Sequence, residues 1–358
     1  MSLLDNKEAI KSLKNSFKRG ELTLYLGAGV SIPSGLPSWE HLVLLIYFRT
    51  LHADINMNVY SNYLLAVAEW MLPEKKDPLD VVIRKIRKTW SDNDFMDVLR
   101  ESLYGNIRDS TGRVFFNAIN RNKTLQSIVS DLLNKSVLKS RGVRTVITYN
   151  YDNLLQLALE RKKIDKKFQT IYKDVPEYKL NKIPIYHVHG YLPIQKTTDE
   201  SMPDELVFSE ERYNSIFQDS YYWGNMIQTQ NLSSNTGLMI GISLSDKNIR
   251  RLLDAIKKAP IARNNYILMK RSALKEPLEG SEDLAFIKDR ARKWMDKMAN
   301  SGIKKESQEY SKIRNVVRDI VDFETSNFAN IYTDLGIQVL LYDRHEEIPG
   351  FIKKISAR

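Results

Sequence analysis

The sequence contains no cysteine. Disulfides, thiol nucleophiles and cysteine-based zinc sites are therefore excluded, whatever the fold. Histidine is scarce, with five in 358 residues, so imidazole chemistry is confined to few places. Long apolar runs are missing as well: charge or proline interrupts every stretch well short of the ~18 residues that span a bilayer. The opening stretch, MSLLDNKEAIKSLKNSFKRGE, alternates charged and apolar side chains at helical spacing and has no continuous apolar segment of the kind a secretory signal needs. The expectation is a cytoplasmic protein without membrane contact.

What is present is positive charge and an α/β pattern. The formal net charge is +10, with basic clusters at Arg84-Lys85, Arg87-Lys88, Arg161 to Lys167, Arg250-Arg251 and Lys257-Lys258. That surplus favours anionic partners such as dinucleotides, nucleic acid or an acidic protein face. Interspersed Asp and Glu leave ordinary solvated helix faces as the plainer reading.

Residues 4–19 read as an amphipathic helix, with Leu4, Ile10, Leu13 and Phe17 near one stripe. Leu22 to Leu26 then form a short apolar run that stops at glycines, as a buried strand feeding a phosphate loop does. From Trp39 to about Ser140 the pattern is helical. Strand signals return at 143–150, 183–190, 237–241, 265–270 and 336–342, mostly separated by helical segments. This alternation predicts a Rossmann-like parallel sheet with helices on both faces. Large helical insertions are expected near 42–139 and 276–330, within one domain spanning 1–358.

Five clusters carry candidate chemistry. Gly27-Ala28-Gly29-Val30-Ser31 follows the first strand, where glycines let backbone approach a phosphate or merely shape a turn. The segment Ile32 to Trp39, with Pro33, Gly35 and Pro37, is an ordered loop, and Ser38 can cap the next helix. Thr148-Tyr149-Asn150-Tyr151-Asp152 ends a strand, the place where ligands bind in open α/β sheets, although Asn150 or Asp152 can equally be a helix cap. His187-Val188-His189-Gly190 ends another strand, and a period of two puts both imidazoles on one face. A neutral histidine there suits a general base, and no third ligand of compatible spacing supports a metal site. Gly241-Ile242-Ser243-Leu244-Ser245-Asp246, followed by Asn248 and Arg250-Arg251, is a further turn into a helix suited to phosphate or ribose.

Taken in order, GAGxS…GLPxW, TxNYD, HxHG and GxSxxDxNIRRLL resemble the sirtuin superfamily. The resemblance is to its bacterial sirtuin-like branch, which includes NAD-consuming effectors of antiphage defence. It covers Gly27 to about Leu253, and GIQVLLYDRHEEIPGFI looks like that branch's closing strand and helix. The resemblance implies that NAD is the substrate and that its nicotinamide–ribose bond is cleaved, giving nicotinamide and ADP-ribose. It implies catalytic roles for Asn150, His189 and Asp152. Gly27, Ala28, Gly29 and Ser31 would hold phosphates, with Gly241 and Ser243 contributing from the far side, and Pro37, Trp39, Thr148 and Asn248 would complete the NAD contacts. The four-cysteine zinc module of protein-deacylating sirtuins has no counterpart, so no zinc is expected. Ser38, Trp39 and Glu40 also stand where those enzymes carry aspartate, phenylalanine and arginine, which puts lysine deacylation in doubt. A deacylase, an ADP-ribosyltransferase and a non-catalytic NAD or ADP-ribose sensor remain the alternatives. Homo-oligomerisation, and activation by a HerA-like ATPase or an Argonaute-like protein, are further implications of the resemblance.

Overall fold

The computed structural model describes residues 3–51, 79–108, 116–139, 141–174, 179, 181–203, 205–219, 221–243, 246–257, 264–270, 315 and 332–357. Seven strands form one sheet: β1 (Leu22–Leu26), β2 (Val143–Thr148), β3 (Phe168–Ile171), β4 (Ile183–His187), β5 (Thr236–Ile240), β6 (Asn265–Lys270) and β7 (Ile337–Tyr342). Their order is β3-β4-β2-β1-β5-β6-β7, and every neighbouring pair is parallel. This is the expected Rossmann-like α/β architecture. Six strands lie where the apolar runs predict them. The seventh, β3, is unexpected: it is a four-residue edge strand in a lysine-rich stretch, and only Phe168 and Ile171 are buried. Two apolar residues are too few to make a periodic signal.

Side chains of the central strands alternate between two apolar layers, because successive residues of a strand point to opposite faces. Leu22, Leu24 and Leu26 enter one layer, and Tyr25, Ile147, Met239 and Ile267 the other. The first layer is covered by helix α1 (Lys7–Arg19) through Ala9, Leu13 and Phe17. Asn6 caps α1 at its start, and Gly20, at φ 74°, ends it. The expected insertion near 42–139 contains α2 (Trp39–Leu51), α3 (Leu79–Arg87), α4 (Asp92–Tyr104), α5 (Phe116–Arg121) and a continuous helix, α6, over 123–139 with a π-helical stretch at Ile128–Leu133. α6 lies on the same layer through Leu125, Ile128, Val129, Leu132 and Leu133, which recur at helical spacing and so share one face. α7 (Leu154–Arg161) follows β2, and α11 (Glu347–Ile355) closes this face. Between β4 and β6 come α8 (Glu210–Gln218), α9 (Trp223–Ser234) and α10 (Lys247–Lys257), of which α9 and α10 supply Leu232, Ile249, Leu253 and Ile256 to the second layer. The insertion expected near 276–330 lies outside the described residues, residue 315 apart.

The chain lays down β2, β3 and β4 on one side of β1 and then crosses to β5 on the other. The topological switch therefore lies between β1 and β5, where open sheets form a ligand crevice. Here the two strand-end loops meet backbone to backbone. The Gly27 amide donates to the Ile240 carbonyl, and the Gly29 amide to the Gly241 carbonyl, both at 3.0 Å. Gly241 itself sits at φ 71°, in the left-handed region that favours glycine. A Cβ on Gly29 would fall 2.7 Å from the Gly241 Cα, and one on Gly27 would overlap the Gly241 carbonyl oxygen. Neither obstacle is a side chain that can swing aside. Gly29→Ala is accordingly expected to cost about 1–3 kcal/mol, the usual range for overpacking. Thermal unfolding checks this, and an unchanged midpoint would show that the contact can relax.

Candidate active site

A cavity of about 710 Å³ opens beside the carboxyl ends of β1, β2 and β4, within the roughly 300–1,000 Å³ common for small-molecule sites. The loop after β1 contributes Ala28 and Ser31, and the proline-containing loop and start of α2 contribute Leu36, Pro37, Ser38, Trp39, Glu40 and Leu42. The turn after β2 supplies Tyr149 to Asp152, and the turn after β4 supplies His189. Leu103 of α4, several residues of α8, and Asp246 to Asn248 complete the wall.

The Asn150 side chain is held at two points. Its Nδ2 donates to the Gly27 carbonyl at 3.1 Å and to the Ser31 hydroxyl at 3.0 Å. A carbonyl only accepts, so the NH₂ end of the amide must face Gly27, and Oδ1 is the end left for the cavity. Ser31 in turn donates to Asp152 Oδ2 at 2.7 Å, and Asp152 Oδ1 accepts from the Leu154 amide at 3.0 Å. Burial pushes the Asp152 carboxyl above its ordinary range, opposed by those two donors. Asp152 stands one residue ahead of Asn153, the N-cap of α7, accepts the first helical amide, and anchors a relay that reaches Asn150.

Asn150 is also held from behind. Its backbone carbonyl faces His187 Nδ1 at 2.9 Å, while His187 Nε2 lies 2.8 Å from Gln156 Nε2. The carbonyl requires a proton on Nδ1, and the Gln156 amide then donates to the Nε2 lone pair. A neutral imidazole fits both partners. Burial drives the His187 pKa down to about 4, partly offset by the Asn150 carbonyl.

The two histidines of the HVHG motif do not share an environment. β4 ends at His187, and residues 188–189 form a turn, so the period of two stops before His189. His189 lies in the cavity wall, with Nε2 at 3.4 Å from Asp246 Oδ2. Tyr149 and Tyr213 meet its ring edge-on at centroid distances of 5.2 and 5.9 Å. Burial lowers the His189 pKa, and the Asp246 carboxylate works against that shift. Asp246 Oδ1 accepts from the Asn248 and Ile249 amides at 2.7 and 3.2 Å, which fixes the carboxylate at the start of α10.

Of the residues singled out from sequence, Asn150, His189, Asp152, Ala28, Ser31, Pro37, Trp39 and Asn248 line this cavity. Gly27, Gly29 and Gly241 lie beneath it and hold the two loops together. Thr148 supports the wall from below, its hydroxyl accepting from the Asn150 amide at 3.1 Å. Ser243 is exposed and is not part of the lining. Asn248 is already engaged, with Asn225 at 3.0 Å and Arg251 at 2.8 Å. Trp39 packs edge-on against Phe208 at 4.8 Å while contributing to the wall. Among the described residues no group of three His, Asp or Glu is placed to hold a metal ion.

Sequence reasoning did not assign Asp246, Tyr149, or the α8 residues Glu210, Tyr213 and Phe217, all of which line the cavity. Asp246 reads locally as a helix cap, and it is one; its second oxygen reaches His189 only in three dimensions. Ser209 and the acidic pair Glu210-Glu211 mark the start of α8, but nothing local ties the helix to the cavity.

Residues 144–291 match the family model of the SIR2-like domain, a span that contains Asn150, Asp152, His189 and Asp246. The chain is similar to the NAD(+) hydrolase ThsA of Acinetobacter baumannii (strain 532279), 22% identical over 258 residues, covering 71% of this chain and 42% of that protein. It is also similar to the NAD(+) hydrolase ThsA of Enterococcus faecium, 23% identical over 283 residues, covering 78% of this chain and 49% of the relative. A third, the ThsA of Bacillus cereus (strain MSX-D12), is 23% identical over 270 residues, covering 73% of this chain and 46% of its own length. The chain thus spans less than half the length of these relatives. The first glycine loop lies outside the family match, and its place in the site rests on its contacts with Gly241 and Asn150.

His187 yields a pH prediction. Its folded pKa of about 4 lies below the roughly 6.5 of an unfolded chain. Between those values the unfolded state binds the extra proton, so stability is full above pH ~6.5 and falls as pH drops toward 4. Urea unfolding at pH 7 and pH 5 should show the wild type losing up to ~2 kcal/mol more than His187→Gln. Equal losses in the two proteins would show that His187 titrates normally.

Proposed function

We propose that this chain hydrolyses NAD at the nicotinamide–ribose bond, releasing nicotinamide and ADP-ribose. The observation that carries this is the fixed Asn150 amide, held at both Gly27 and Ser31 in the wall of a cavity that also includes His189 and Asp246. The names of the similar ThsA proteins, NAD(+) hydrolases, support the choice of substrate.

The cavity chemistry fits that substrate. Leu36, Pro37, Trp39, Leu42 and Leu103 offer apolar surface for a flat ring. Glu40, Asp152, Glu210 and Asp246 outnumber Lys247 among the charged lining residues, so the wall favours a cationic pyridinium and the positive charge that grows on the ribose as it departs. Nicotinamide leaves as a neutral molecule, so no general acid is needed. The residues must place the ribose and deliver an oxygen. Asn150 Oδ1 accepts from a ribose hydroxyl or from the attacking water. His189, neutral because burial lowers its pKa, accepts a proton from that water directly or through a ribose hydroxyl. Asp246 engages Nε2, which leaves Nδ1 as the base and pairs the imidazolium that results. Asp152 and Ser31 act one step removed, by holding the Asn150 amide.

Depletion of NAD by such an activity suits an effector of antiphage defence, and we extend the proposal to that role on the strength of the family resemblance. Control of the activity then falls to self-association or a partner.

Nicotinamide release from NAD by purified protein tests the reading. Asn150→Ala and His189→Ala should each lower turnover by ~10²-fold or more. Ser31→Ala should lower it by about tenfold, the equivalent of one hydrogen bond of ~1.4 kcal/mol. Near-normal turnover in both Asn150→Ala and His189→Ala would sink the assignment. Tight NAD binding without release under activating conditions would mark a sensor, and turnover of acetyl-lysine a deacylase.

A further inference from the structure

The opposite end of the sheet has the opposite electrostatic character. Parallel pairing sets Phe168 of β3 beside Ile183 of β4, so the preceding Lys167 and Lys182 enter the sheet side by side, about 4.8 Å apart at the backbone. On the next strand, Val146 pairs with Ile185, which puts Arg144 level with the start of β4. The turn between α7 and β3 adds Lys162, Lys163 and Lys166, and the turn into β4 adds Lys179. All of these except the half-buried Lys182 are exposed. Among the described residues Arg144, Lys162, Lys163, Lys166, Lys167 and Lys182 form no ion pair with a carboxylate.

Lys163 supplies an independent observation. It is the one non-glycine residue at positive φ among the described residues, at 58°, just past the end of α7. Glycine normally takes this position, because a side chain in the left-handed region costs about 1–2 kcal/mol. The attraction of an exposed lysine to a helix carboxyl end returns only ~0.3–1 kcal/mol. A strained lysine in the middle of a basic row points to a use for its charge.

We propose that this amino-end face binds the phosphate backbone of nucleic acid, independently of sequence. The choice over an acidic protein rests on composition. Protein interfaces centre on apolar and aromatic side chains, whereas among the described residues between 141 and 182 the exposed side chains are mainly charged and none is a large hydrophobic; Leu138, just ahead of β2, is exposed. A phosphate backbone requires only cations in a row. The cavity lies at the other end of strands such as β4, roughly 15 Å away, so this proposal stands apart from the catalytic reading.

Fluorescence anisotropy with a labelled DNA duplex of about 20 base pairs, and with an RNA strand of similar length, tests the proposal over a salt series. Engagement of about five phosphates gives a log–log salt slope near −4.5 for duplex DNA. The joint variant Lys162→Ala, Lys163→Ala, Lys166→Ala and Lys167→Ala should weaken binding by at least ~10²-fold and flatten the slope. Lys163→Gly is the sharper probe. It should raise the unfolding midpoint by relieving strain, yet lower affinity several-fold and reduce the slope by about one. Nicotinamide release measured without nucleic acid should not change in either variant. Absence of binding at about 50 mM salt, or full affinity in the joint variant, would overturn the proposal. Equal binding of polyglutamate or anionic vesicles would instead assign the face to an acidic protein or a lipid surface.

Discussion

The site depends on the backbone contact between Gly27, Gly29 and Gly241. Two loops from strands on either side of the switch point touch without intervening side chains, and their amides and carbonyls satisfy each other. The Gly27 carbonyl, positioned by that contact, is what orients Asn150. The glycines therefore act as the floor that fixes the first polar group of the site, and their amides are spent on that floor. Phosphate cradling by amides of Gly27 and Gly29 would need those bonds to open.

Above the floor, the polar side chains form two short relays. One runs from Asp152 through Ser31 to Asn150, and the other joins Asp246 to His189. Each ends on a carboxylate whose other oxygen accepts amides at a helix start, Leu154 in one case and Asn248 and Ile249 in the other. Anchoring a carboxylate in this way satisfies its burial and removes rotational freedom, so the group at the far end of the relay is held too. His187 adds a third support, holding the Asn150 backbone as a neutral ring between a carbonyl and an amide.

The charge of the chain is distributed against its net sign. The cavity gathers carboxylates while the amino ends of β2, β3 and β4 gather lysine and arginine. The parallel sheet makes this separation possible, because all its strands point the same way and the two sets of loops emerge at opposite ends. A net charge of +10 alone says nothing about which end faces which ligand.

The sequence by itself determined the fold class, six of the seven strands and the strand-end turns that converge on the cavity. These are local matters, set by apolar runs of strand length that stop at glycine or polar turns. The resemblance of its motifs to the sirtuin superfamily also singled out Asn150, Asp152, His189 and Ser31, which strand-end position alone left open between site and helix cap or turn. Tertiary structure decided the rest. Residues 188–189 turn away from the strand period, which parts His187 from His189. Asp246 and Tyr213 reach His189 from elements more than twenty positions along the chain, at a distance no periodicity encodes. The edge strand β3 forms because β4 offers it a row of hydrogen-bonding partners, not because its four residues propagate a pattern of their own.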